Sequence, residues 1–281
     1  MNIQDWLHHA IEVLQESECP DPQVDSRWIC EDTLGMSSTE LSFEGHQELE
    51  PEKLEQLNHR LRRRAQGEPV QYILESAYFM GQRFYVDQRV LIPRQDTETL
   101  VESIIVALRQ MNQEEPEVLD LCTGSGAIGL SVKALIPQAK VTLTDISKDA
   151  LEVARRNAHL LNVEVEIRHG DLFQAVGKNR YDLIVANPPY IPHSDLIMLQ
   201  REVRREPAIA LDGGSDGLEL YRRLTSEVTE HLNPQGFLFL EVGIGEAEDV
   251  LKLVTDKLES SQAGIINDLN SIPRIVWARS V

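Results

Sequence analysis

Apolar residues recur at three- and four-residue steps through the first part of the chain. Ile3, Trp6, Leu7, Ala10, Ile11 and Leu14 fall on one face of a helix that starts behind Asn2. The segments PDPQVDSRWICEDTLGM and EPEKLEQLNHRLRRRAQGEP repeat the pattern, the second with Pro51 near its start and Gly67 just past its end. Residues 1–68 therefore read as a small helical domain. Over residues 69–93 the texture changes to aromatic and β-branched residues interrupted at Gly81, which predicts a β-hairpin linker. Helical spacing returns through Leu100, Ile104, Ile105 and Leu108.

From residue 117 short apolar runs alternate with amphipathic stretches, the pattern of a parallel sheet covered on both faces. The predicted strands are EVLDL, KVTLTD, EVEIRH, YDLIVAN and GFLFLEV, with GIIND and RIVWAR completing the sheet. Residues 94–281 thus form one α/β, Rossmann-like domain of seven strands. Nothing repeats at the 20- to 50-residue period of a solenoid.

Composition narrows the class. An apolar content of 42% with 26% charged residues is that of a folded chain. Acids outnumber Lys and Arg by 46 to 27, net −19, and such a surface repels phosphate backbones and attracts basic proteins. Binding to duplex nucleic acid is not expected. Cys19, Cys30 and Cys122 are odd in number and lack C-x-x-C spacing, so reduced thiols in a cytoplasmic, metal-free protein are expected. No apolar run reaches a membrane span of about 18 residues, and the start lacks the basic-then-apolar order of a signal peptide. A monomer is expected.

The candidate chemistry lies at strand ends. In DLCTGSGAIGLSVKAL, Gly124, Gly126 and Gly129 satisfy G-x-G-x-x-G before a helix, a weak signal alone but one that lets backbone approach a ligand. Asp145, ending the next strand, suits the two hydroxyls of a ribose; otherwise it caps a helix beginning near Lys148. In HGDLF, Asp171 suits an exocyclic amine and Leu172 an apolar lid over a base; otherwise this is a turn in which Asp171 bonds its own backbone.

The most specific stretch is VANPPYIP. Pro188 and Pro189 fix two φ angles and withhold two donors between an amide and an aromatic ring. The side-chain oxygen of Asn187 and the carbonyl of Pro188 together accept two hydrogen bonds from one NH2 group, with Tyr190 against its plane. An amide nitrogen is a poor nucleophile because its lone pair is delocalised, so a methyl acceptor of this kind must be oriented as well as activated. The methyl donor this implies is S-adenosylmethionine. The absence of His, Cys or Lys in the motif agrees with a transfer that needs no strong base.

With VLIPRQDTETLVE, VLDLCTGSGAIG, VTLTDIS, NPPYIP and REPAIALDGGSDGLELYRRL in this order, the chain resembles the bacterial and organellar release factor glutamine methyltransferases over nearly its whole length. The resemblance implies a five-helix-like N-terminal domain that binds the protein substrate and a seven-stranded domain that binds S-adenosylmethionine. It implies as substrate the glutamine of the Gly-Gly-Gln loop of class I peptide chain release factors. By position, Cys122, Thr123, Gly124, Ser125 and Gly126 would line the methionine part of the cofactor, Asp145 the ribose and Leu172 the adenine. Asn187, Pro188, Pro189 and Tyr190 would hold the glutamine amide. Cys122 stands where many members have glycine, Leu172 where some have an aromatic ring, and Glu75 where glycine is usual.

Other readings stay open at this level. A ribosomal protein glutamine is an alternative acceptor; adenine N6 in DNA is suggested by the elbow but opposed by the charge. A dehydrogenase leaves the elbow unexplained, and an inactive ribosome-associated module leaves intact motifs without use. Arg94 and Glu98 are further site candidates beside Pro93 and Thr97. Arg60, Arg62, Arg63 and Arg64 read as a solvated helix end or a docking patch, REVRRE as a solvated helix face, and LDGGSDGLELYRRL as a sharp connection before an N-capped helix rather than a phosphate cradle.

Overall fold

The computed structural model describes residues 1–111 and 113–281, with the backbone alone for Ser260 and Ser261. It comprises two compact units, Met1–Ser76 with Gln200–Arg205, and Ala77–Leu199 with Glu206–Val281. No helix among the described residues is long and apolar enough to cross a membrane.

The first unit holds α1 (Ile3–Glu16), α2 (Pro22–Leu34), α3 (Ser38–Phe43), α4 (Pro51–Ala65) and α5 (Val70–Ile73). Asn2 caps α1 by accepting from the Asp5 amide at 2.8 Å, a contribution of about 1 kcal/mol. Its buried face, Ile3, Trp6, Ala10 and Leu14, packs with Ile29, Leu57 and Leu61, and the Trp6 Nε1–H donates to Asn58 Oδ1 at 3.0 Å. The short α3 has a single buried residue, Leu41, too little periodicity to read from the pattern; a reciprocal cap between Ser37 and Glu40 starts it.

Most of the arginine cluster is occupied within this unit. Arg60 donates to Asp32 at 2.8 Å and Arg63 to Glu68 at 2.6 Å, while Arg64 is buried between Asp25 at 2.5 Å and Glu202 at 2.9 Å. Arg62 is exposed. The REVRRE segment is not a solvated helix face: besides Glu202, Arg201 and Arg205 donate to the carbonyls of Ala65 and Gln66, closing the end of α4.

The hairpin expected over residues 69–93 shrinks to β1 (Ala77–Phe79) and β2 (Gln82–Phe84). Tyr72 and Ile73, read as strand residues, belong to α5, where the buried faces of Val70, Tyr72 and Ile73 override their β propensity. The rest of the second unit is α6 (Asp96–Met111), β3 (Glu117–Leu121), α7 (Ala127–Leu135), β4 (Lys140–Asp145), α8 (Lys148–Leu160), β5 (Glu166–His169), β6 (Tyr181–Ala186), α9 (Glu219–His231), β7 (Leu232–Glu241), α10 (Ala247–Lys257), β8 (Ser260–Asn267) and β9 (Pro273–Ser280).

The seven strands lie in the order β5-β4-β3-β6-β7-β9-β8, parallel except where β9 runs against both neighbours. Alternation along each strand sorts the core into two layers. Val118, Val141, Leu143, Leu183 and Val185 face α6, α7 and α8. Leu119, Leu121, Ile184, Leu238 and Leu240 face α9 and α10. β6 is buried at every position, as an apolar run in a central parallel strand requires.

Candidate functional site

Strand order creates the site. The chain steps outward from β3 through β4 to β5, then returns to lay β6 on the other side of β3, so the loops after β3 and β6 part at the carboxyl edge of the sheet. Leu121 pairs with both Thr144 and Ala186, which sets Cys122, Asp145 and Asn187 at one level on three neighbouring strands. A cavity of about 520 Å³ opens there, lined by the loops after both β3 and β6.

The loop after β3 is pinned from below and behind. Asp120, fully buried, accepts from Thr123 Oγ1 at 2.6 Å and from the Gly129 amide at 2.9 Å. Burial pushes its carboxyl up to about 7, against the pull of those two donors. Gly129 allows helix to meet sheet: a Cβ there would lie 2.2 Å from Leu143. Cys122, Thr123, Gly124 and Ser125 face the cavity. Gly126 does not: at φ 83° it starts α7, and its added Cβ would strike Leu130 at 2.7 Å, so its freedom serves packing. Cys122 holds φ 56°, a left-handed conformation that glycine adopts without cost. Burial and the charges of Asp145 and Asp120 push its thiol up, away from the thiolate a nucleophile needs.

Asp145 is held by the same loop. Its Oδ2 accepts from the Gly124 amide at 2.9 Å and its Oδ1 from the Ser147 amide at 2.8 Å, leaving each oxygen a lone pair for a ligand hydroxyl in the cavity it lines. It is not the cap of α8; Ser147 is, accepting from the Ala150 amide at 3.1 Å. Asp171 lines the cavity with one oxygen bound to Arg223 at 2.6 Å, rather than to its own turn. Leu172, at φ 46°, presents a buried side chain to the same wall.

The elbow after β6 sends Asn187 and Pro189 to the cavity wall; Pro188 is buried and Tyr190 half-buried behind the wall against the α9 and α10 layer. Burial, reinforced by the charge of Glu241, raises the Tyr190 hydroxyl to about 12, so it stays neutral. The LDGGSDG stretch has a different use from either sequence reading. The Ile191 amide donates to Leu211 O at 3.0 Å, Gly213 to Ile191 O at 2.8 Å and His193 to Gly214 O at 2.8 Å, a ladder that braces the elbow. The helix behind it, α9, has Leu218 at its cap with no side-chain bond.

Arg94 and Thr97 line the cavity, Arg94 paired with Glu206, whose other oxygen accepts from the Ile92 amide at 2.9 Å. Glu98 serves the hairpin instead, accepting at 2.6 Å from the amide of Met80, itself at φ 51°. Glu206, the Leu211–Gly214 ladder and Arg223 lie within the REPAIALDGGSDGLELYRRL stretch, but the sequence does not show what they bond, since each partner lies at least 20 residues away.

Comparison with known proteins identifies the family. The Methyltransferase small domain model matches residues 97–215 and the PrmC N-terminal domain model residues 5–74. The release factor glutamine methyltransferase of Geobacter sulfurreducens is 40% identical over 278 residues, 99% of this chain and 95% of that one. That of Deinococcus radiodurans is 37% identical over 279 residues, 99% of each. A methyltransferase structure from Pyrococcus furiosus shares the fold with a TM-score of 0.53 at 18% identity, covering 80% of this chain and 100% of that one. With identity at this level sustained from end to end, the chain belongs to the release factor glutamine methyltransferase family.

Proposed function

We propose that this enzyme transfers a methyl group from S-adenosylmethionine to the side-chain nitrogen of the glutamine in the Gly-Gly-Gln loop of class I peptide chain release factors. One observation carries the reading: the register of β3, β4 and β6 brings an acid suited to a ribose and an amide suited to a carboxamide to the wall of one cavity.

The residues fit the cofactor. Beyond its own chain neighbours, no atom of the described residues lies within 4 Å of a Cβ built on Gly124, so a ligand can come against that backbone, and Asp145 keeps free lone pairs beside it. Leu172 and Ile146 supply apolar wall for a base. When bound, S-adenosylmethionine supplies a methyl group made electrophilic by its sulfonium. The chain's own task is then orientation. Asn187 Oδ1, on the cavity wall, holds the acceptor amide and takes up the positive charge that grows on N–H as the nitrogen alkylates, after which the proton passes to water. Such a neutral bond contributes roughly 1 kcal/mol, more where water is excluded.

A net charge of −19 favours a basic protein surface over naked nucleic acid as the bearer of the acceptor. The reading takes the enzyme to be a monomer, and a release factor as substrate supports a cytoplasmic location. Incubation with methyl-labelled S-adenosylmethionine and purified release factor, ribosomal proteins or duplex DNA tests the reading: label enters the release factor, whereas label confined to either alternative overturns it. Asn187→Ala lowers transfer by about 100-fold or more with the affinity for S-adenosylhomocysteine held within about 3-fold, while Asp145→Ala weakens that affinity by about 10-fold or more. Equal loss of affinity in the two variants would show the roles to be misassigned.

A further inference from the structure

Glu241 has no task in the scheme above, yet its placement is costly. It ends β7 one step past the pairing of Ala186 with Leu240, which sets it level with Asn187, the first residue after β6. It is 4% exposed. A carboxylate so placed carries a large desolvation penalty unless partners compensate it. The side chains of Thr97 and Asn187 approach it as donors and the Arg274 guanidinium adds favourable charge. Among the described residues, Glu241 Oε2 and Thr97 Oγ1 each find no partner at full hydrogen-bond geometry. Thr97 and Asn187 line the cavity, and Glu241 does not.

The amide of Asn187 has an accepting end and a donating end. Only the oxygen, facing the cavity, can hold the hydrogens of an acceptor NH2; the opposite orientation sets two donors against each other. An anion behind the amide distinguishes the two. We propose that Glu241 is the positioning residue for Asn187, its carboxylate drawing the Nδ2–H of Asn187 inward and so turning Oδ1 toward the acceptor nitrogen. This rests on the role given to Asn187 above. Bonds of this kind that are long in a free enzyme tighten when substrate fills the site.

The arrangement makes transfer sensitive to pH. Burial pushes the Glu241 carboxyl up to about 7, opposed by Thr97, Arg274 and Asn187. The charged and titratable groups facing it are Arg274 of β9, Asp96 at the start of α6, Tyr190 of the elbow and Tyr221 of α9, whose hydroxyl donates to the Glu241 backbone carbonyl at 2.7 Å. Asp96 is paired with Arg274 at 3.2 Å, and burial holds both tyrosines neutral. The anion is the orienting form, so orientation is present above the raised pKa and lost as pH falls through it; the protonated carboxyl donates and pulls Oδ1 away.

The test is the single-turnover rate on purified release factor from about pH 5.5 to 9, with the affinity for S-adenosylhomocysteine measured alongside. The expected wild-type profile has an acid limb near neutrality. Glu241→Gln keeps the shape, and should lower the plateau by about 10- to 100-fold, abolish the limb and leave cofactor affinity within about 3-fold. Glu241→Asp, with the charge withdrawn by one methylene, should lower the plateau but keep a limb. A Glu241→Gln enzyme with the wild-type rate, or with the limb unmoved, overturns the inference. If Asn187→Ala is itself as fast as wild type, the acceptor role of Asn187 fails and this inference with it. An inactive Asn187→Ala beside an unimpaired Glu241→Gln defeats the inference alone.

Discussion

At Gly124 an added Cβ would meet nothing within 4 Å, whereas at Gly213 it would lie 2.7 Å from the backbone of Tyr190 and at Gly217 2.4 Å from the Tyr190 carbonyl oxygen. Both glycine-rich loops border one cavity, yet the first omits side chains to leave room for a ligand and the second to let the elbow rest on it. Composition alone does not separate these uses. What an absent side chain would touch does, and it predicts different defects: lost binding in the first loop, lost transfer in the second.

The sharpest way to break this contrast is Gly217→Ala. At φ 79° the new methyl is strained and displaces Tyr190, so transfer should fall by about 100-fold while affinity for S-adenosylhomocysteine changes by less than about 3-fold, read by single-turnover kinetics and calorimetry. Gly124→Ala should invert the pattern, weakening that affinity by about 10-fold because the new methyl occupies the space a ligand would take against the backbone, while transfer at saturation changes little. A loss confined to transfer in Gly124→Ala would dissolve the distinction.

Beneath the first loop, the raised pKa of Asp120 gives a smaller effect. Stability from a group so shifted is fully present below its unfolded pKa of about 4 and is lost as pH rises toward 7. Asp120→Asn should therefore gain in melting temperature relative to wild type as pH rises from about 5 to 8, by a few degrees. An unchanged difference across that range would show that Asp120 does not titrate there. The smallest effect expected is Cys122→Gly, which relieves left-handed strain of about 1 kcal/mol, partly offset by chain entropy, and should raise the melting temperature by about 2 °C in thermal denaturation.

Legibility in sequence followed the range of the interactions. The strands were readable because their alternation reports which of two apolar layers each residue enters, and the start of α1 because Asn2 acts on a residue three positions on. The loop after β3, Asp145 and the elbow were readable for the same reason: each is a short motif at a strand end. The partners that fix them are distant. Arg223 reaches Asp171 across 52 residues and Arg94 reaches Glu206 across 112, so no window along the chain contains both groups. Residues 70–73 misled because β-branched and aromatic side chains are also suited to burial in a single helical turn. Glu241 drew no reading within the GFLFLEV strand, because its neighbour at the end of β6 lies more than 50 residues earlier in the chain.

Arg64 meets Asp25 early in the chain but Glu202 only after another 138 residues, and a Cys19 thiol at 3.2 Å from Asp25 completes that buried knot. A nascent chain emerging from the ribosome thus exposes an incomplete first unit, with one cation awaiting its second counter-charge, until most of the polypeptide has been made. An excised fragment ending at Ser76 inherits the same deficit, so domain dissection of this protein succeeds only if the 200–205 segment is grafted back.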